Sequence, residues 1–72
     1  MKNEAKQITQ AEHLIEQKRP KQAATLAHRL LRRRPKSLPI LERLVRLFLS
    51  AEDLYGAAEA LELLRRERPV RQ

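Results

Sequence analysis

The sequence predicts an all-α fold of four helices, arranged as two antiparallel hairpins in series. Three observations carry this. Strong helix formers dominate, while β-branched residues are few: three Ile, two Val and two Thr in 72 residues. Prolines at positions 20, 35, 39 and 69 cut the chain into four segments. Each segment repeats its apolar residues at helical spacing.

The first segment runs from about Asn3 to Lys18. Ile8, Ala11, Leu14 and Ile15 form its stripe, and His13 points the other way. The second begins at Pro20, a residue suited to the first helical position, and continues to about Arg34. Ala23, Ala24, Leu26, Ala27, Leu30 and Leu31 share one face; Lys21, Thr25, His28, Arg29 and Arg32 share the other. Pro35 biases Arg34 away from helix and ends the segment.

Ser37 is a fitting N-cap for the third helix, with Pro39 tolerated in the first turn. Its face is Leu41, Leu44, Val45 and Phe48, and it ends near Ser50. Asp53 caps the fourth, which runs to about Glu67 before Pro69. Leu54, Ala57, Leu61 and Leu64 make its stripe, and Ala58, Ala60 and Leu63 widen the apolar sector. Gly56 costs helix propensity in the first turn, so it is expected to serve close helix approach. Joins of about two residues within each pair force antiparallel hairpins.

The offset between the two halves is regular. Pro35 and Pro69 stand 34 residues apart, each closing an Arg-rich stretch. At the same offset Ala11 meets Val45, Leu14 meets Phe48, Ala23 meets Ala57, Ala24 meets Ala58 and Leu30 meets Leu64. A period of this length marks a repeat architecture. LERLVRLFLSAEDLYGAAEALELLRRERP, residues 41–69, resembles a tetratricopeptide repeat (TPR). Leu41, Leu44, Val45 and Phe48 fill its first-helix pattern, Ala57, Leu61 and Leu64 its second, with Pro69 at the close. KRPKQAATLAHRLLRRRP, residues 18–35, resembles the turn and second helix of another copy through Ala23, Ala27, Leu30 and Pro35. Gln7 and Gln10 stand where that copy's bulky apolar residues are usual.

The resemblance implies one domain over 1–72, with repeat one at about 3–36 and repeat two at about 37–70. It implies a fragment of a right-handed α-solenoid, in which neighbouring hairpins stack to bury their apolar faces. It also implies a groove lined by the first helix of each pair. The residues placed there are Ile8, Glu12, Ile15 and Glu16, then Glu42, Arg46, Leu49 and Ser50. Ile8 and Glu12 stand where some family members carry the Lys and Asn that clamp a peptide carboxylate.

Two hairpins leave the fourth helix without a neighbour on its far side. Leu54, Ala60, Leu61, Leu63 and Leu64 are therefore expected to form an uncovered strip that meets a second copy or another protein. Ile15 and Leu49 join Leu54, Leu61, Leu63 and Leu64 as expected binding or assembly residues. A chain of this size buries only about 60% of its unfolded surface, and association is a common remedy.

Charge is one-sided. Residues 1–36 hold ten cations and three acids, which accounts for the whole net charge of +7; the second half is neutral. No acid occurs between Lys18 and Lys36. Cations at helix C-termini also complement the helix dipole. As partner contacts, Arg29, Arg32, Arg33 and Arg46 are the basic candidates.

The chemistry of catalysis is not visible in these residues. The chain has no Cys, so it holds neither a disulfide nor a thiolate metal site. His13 and His28 are expected to be solvent histidines, and no H-E-x-x-H joins them. A single Gly excludes a phosphate-cradling loop. Ser37 and Ser50 lie at helix ends without a base beside them. No enzyme, metal or cofactor is expected. Apolar runs do not exceed three residues, so no membrane span is expected. The stretch MKNEAKQITQAEH lacks the apolar centre of a signal peptide, which points to the cytoplasm.

The expected function is a non-enzymatic protein-interaction module: an adaptor, assembly or chaperone-like subunit with apolar helix faces and a basic flank. The alternative is a basic helical RNA- or DNA-binding module acting through phosphate contacts. That alternative has the charge but only two aromatics, Phe48 and Tyr55, for stacking.

Overall fold

The computed structural model describes residues 2–68, with side chains from residue 4 onward. Four helices make up the described chain: α1 (Lys2–Glu16), α2 (Pro20–Arg32), α3 (Leu38–Ser50) and α4 (Leu54–Glu67). Pro69, expected to close the last helix, lies outside the described residues. The helices pair as α1 with α2 and α3 with α4, and α3 lies against both helices of the first hairpin. α4 touches α2 but not α1.

Two helices end earlier than their period suggests, because the chain turns left-handed. Lys18 has φ 63°, Arg34 φ 51° and Glu52 φ 58°. In the first hairpin turn the Lys18 N–H donates to Ile15 O at 2.9 Å and the Arg19 N–H to Leu14 O at 2.8 Å. In the second, the Glu52 N–H donates to Leu49 O at 3.0 Å and the Asp53 N–H to Phe48 O at 2.8 Å. This is the Schellman pattern, which satisfies the last carbonyls of a helix. The two turns superpose residue for residue at the 34-residue offset.

The helix starts differ between the copies. Asp53 accepts the Gly56 N–H on its Oδ1 at 3.0 Å. Its counterpart Arg19 occupies similar backbone angles but makes no side-chain cap. Ser37 accepts the Ile40 N–H at 3.4 Å, and Pro39 sits in the first turn as expected.

The core runs between the hairpins. Ile8 and Ala11 of α1, Ala23, Ala27, Leu30 and Leu31 of α2, Leu41, Leu44, Leu47 and Phe48 of α3, and Ala57, Ala60 and Leu64 of α4 are buried. Leu47 belongs to this set although the third-helix stripe did not include it, whereas Val45 is only half-buried. Ala23 and Ala57 mark the two crossings, where small side chains let helices approach. Gly56 is buried against the Phe48 ring: a Cβ built there would lie 2.9 Å from Phe48 Cγ and closer still to Cδ1 and Cε1.

Polar links join the hairpins. Arg43 on α3 grips Glu12 on α1, its Nη2 donating to Oε1 at 2.7 Å and its Nε to Oε2 at 3.1 Å. The same Nη2 donates to Thr9 Oγ1 at 3.1 Å. This fork holds the Glu12 carboxyl below its ordinary pKa, the Arg43 hydrogen bonds outweighing partial burial. His28 on α2 donates from Nε2 to Asp53 Oδ2 at 2.7 Å. Its ring also tilts against Phe48 at a centroid distance of 4.8 Å. His28 is therefore half-buried and engaged in both contacts, rather than the solvent histidine its polar-face position suggested.

Candidate interaction surfaces

Helix α4 presents three distinct sides. Gly56, Ala57, Ala60 and Leu64 face the core. Leu54, Ala58 and Leu61 recur at helical spacing on a side that is exposed throughout. Tyr55, Glu59, Glu62 and Arg66 form the third side, which looks across a groove toward α2.

This divides the expected strip. Leu64 is only 5% exposed and Ala60 is fully buried, so both are core residues and not surface ones. Leu63 is half-buried and packs against the core. The apolar sector of α4 is wide because two neighbours cover it: α3 along its length, and α2 along an edge. What remains open is Leu54, 70% exposed, and Leu61, 46% exposed, with Leu49 of α3 at 52%. Ile15, the counterpart of Leu49, is half-buried against the core.

Comparing the two copies shows why Leu61 is open. Contacts within a hairpin are shared by both copies, so a difference in burial reports the neighbour. Ala27 is fully buried, while Leu61, 34 residues later, is nearly half exposed. The opposite trend appears on the first helices. Leu41 and Leu44 are fully buried. Their counterparts are Gln7, half-buried, and Gln10, exposed. The outer flank of the first hairpin is polar, and that of the second is apolar.

The sequence of α1 through α4 matches the family model described as tetratricopeptide repeat over residues 14–72. The chain belongs to the tetratricopeptide-repeat family. TPR units bind other proteins and are typically non-enzymatic. No curated protein and no solved structure matched the chain. No helix among the described residues is long and apolar enough to cross a membrane.

Within this TPR unit the first-of-pair helices carry the groove residues that the resemblance implied. Ile8 is fully buried and cannot contact a ligand. Glu12 is taken up by Arg43. Arg46, Leu49 and Ser50 are exposed, and Glu42 is half-buried, 3.3 Å from Arg68.

The basic candidates are all at the surface. Arg29, Arg32, Arg33 and Arg46 are exposed, and none forms an ion pair among the described residues. On α4 the pattern reverses: Glu62 receives both Arg65 at 3.3 Å and Arg66 at 3.5 Å. Tyr55, 76% exposed, is a surface residue that the apolar period did not single out. It sits one place beyond Leu54, off the stripe, where only its exposure in the fold marks it.

Proposed function

We propose that this TPR chain is an adaptor that packs the Leu54–Ala58–Leu61 stripe, with Leu49, against an apolar helical surface of another protein. The observation that carries this is the difference between Ala27, fully buried, and Leu61, 46% exposed, at equivalent repeat positions. The stripe takes the kind of contact that α3 makes with the first hairpin, so its complement is a helix or hairpin with small and aliphatic residues at helical spacing. The polar flank around Gln7 and Gln10 is a poor complement, which argues against a head-to-tail chain of identical copies. The reading takes the chain as two repeats, 3–36 and 37–70. The basic α2 supplies long-range attraction to an acidic partner.

A phosphate-binding module has less in its favour. Apart from Tyr55, the exposed surface offers no aromatic platform for bases.

The test is site-specific photocrosslinking in cells, with the crosslinker at position 61 or, as a control, at position 10. A discrete protein adduct from position 61 alone is expected, and it is lost in Leu54→Glu. Equal adducts from both positions overturn the reading. Sedimentation of the purified chain as a stable dimer that Leu61→Glu dissociates reassigns the stripe to a second copy.

A further inference from the structure

The stripe leaves one side of the molecule unexplained. Between α2 and α4 runs an open groove of about 570 Å³. Its floor is apolar: Leu31 is only 7% exposed, and Leu63 is half-buried beside it. Arg32 and Arg34 flank it on the first-hairpin side and Tyr55 on α4.

The charges of this groove are unequally matched. Arg32 and Arg34 are exposed and have no carboxylate partner among the described residues. They sit in the acid-free stretch from Lys18 to Lys36, so no sequence neighbour offsets their field. The α4 wall is different. It carries Glu59 and Glu62, with Arg66 3.5 Å from Glu62. An occupant therefore meets unpaired guanidinium groups on one side and carboxylates on the other.

We propose that the α2–α4 groove docks an acidic segment of a partner protein, its carboxylates on Arg32 and Arg34 and an apolar side chain on Leu31 and Leu63 beside Tyr55. Guanidinium forks match carboxylates in bidentate geometry. An aromatic wall over an aliphatic floor gives an anchor residue a place to be buried. Glu59 and Glu62 decide between macromolecules. They repel a phosphodiester backbone, which carries charge at every step. A peptide can place its acids on the α2 side and a neutral or basic residue opposite them. The groove lies on a different side of α4 from Leu54 and Leu61, so it stands whether or not the stripe has a partner.

The test uses the intact chain and a fluorescein-labelled synthetic peptide of alternating glutamate pairs and leucines. Anisotropy at fixed salt gives affinity, and amide chemical shifts locate the peptide. Saturable binding with shifts at Leu31, Tyr55 and Leu63 is expected. Arg32→Glu with Arg34→Glu weakens it about tenfold or more. Tyr55→Ser weakens it about threefold. Lys21→Glu with Arg29→Glu changes net charge equally on exposed residues outside the groove and changes affinity less than about twofold. Leu61→Glu leaves the peptide affinity unchanged, although it abolishes the stripe contact. Circular dichroism confirms that each variant keeps its helices. The proposal is overturned if binding is not saturable, or if the two double reversals weaken it equally. It is also overturned if Leu61→Glu removes binding, or if a polyuridine strand displaces the peptide and shifts the same amides more tightly.

Discussion

Gly56 lies directly beneath the Phe48 ring, in a gap with no room for a methyl group. The first turn of α4 therefore closes onto α3 through a missing side chain. Asp53 fixes that turn by accepting the Gly56 N–H at 3.0 Å, while His28 holds the other carboxylate oxygen. One capping residue thus ties α2, the α3–α4 turn and the closest helix approach together.

Gly56→Ala is expected to destabilise the chain by about 1–2 kcal/mol. Alanine improves helix propensity by up to about 1 kcal/mol. Overpacking a filled core typically costs about 1–3 kcal/mol, and Phe48 is fully buried with nowhere to turn. Urea denaturation of the single variants and of Gly56→Ala with Phe48→Leu measures the coupling. A smaller alanine penalty in the Phe48→Leu background is expected. Equal penalties in both backgrounds defeat the argument.

Arg19→Asp is expected to stabilise the chain by about 1 kcal/mol. Arg19 stands at the N-cap of α2 with no side-chain cap, where Asp53 stands in the second copy. A carboxylate there caps the Gln22 N–H and favours the positive end of the helix dipole. Thermal melting reads the gain, and Arg19→Ala separates capping from the removal of a like charge. If Ala and Asp melt together, the cap has not formed.

Stability is expected to fall on acidification below about pH 4.5. Glu12 is held below its ordinary value of 4.5 by hydrogen bonds from Arg43, with Coulombic help from Arg43, His13 and Arg46. Asp53 is held below 3.8, first by the Gly56 N–H and then by His28. A carboxyl depressed in the fold stabilises it above the unfolded pKa, and that contribution is lost as pH falls through the folded pKa. Both groups are substantially solvated, so each contributes about 0.5–1 kcal/mol. The urea midpoint should hold from pH 7 to about 5 and then drop. In Glu12→Gln with Asp53→Asn the acid limb should be shallower; a limb parallel to that of the unaltered chain contradicts the assignment.

Much of this fold is legible in the residues because its punctuation is local. Prolines, Ser37 and Asp53 act within one turn, and the alanines at 23 and 57 follow from the 34-residue offset. Left-handed turns were not visible, since Lys18, Arg34 and Glu52 are not the glycines that such positions favour. The His28–Asp53 bond spans 25 residues, and no local pattern signals it. On α4, the apolar count alone did not separate Ala60 and Leu64 from Leu54 and Leu61. That separation depends on how the helix is rotated between α2 and α3, which is a property of packing. Tyr55 became notable for the same reason.

The contrast between the glutamine-bearing flank of α1 and the bare leucines of α4 makes growth of this stack directional. Material can condense on one facet only, as on a seed crystal whose other facet has been passivated. An engineer who grafts extra hairpins onto this unit gains cooperativity at the Leu61 facet, and gains none at the Gln10 facet until those glutamines are replaced.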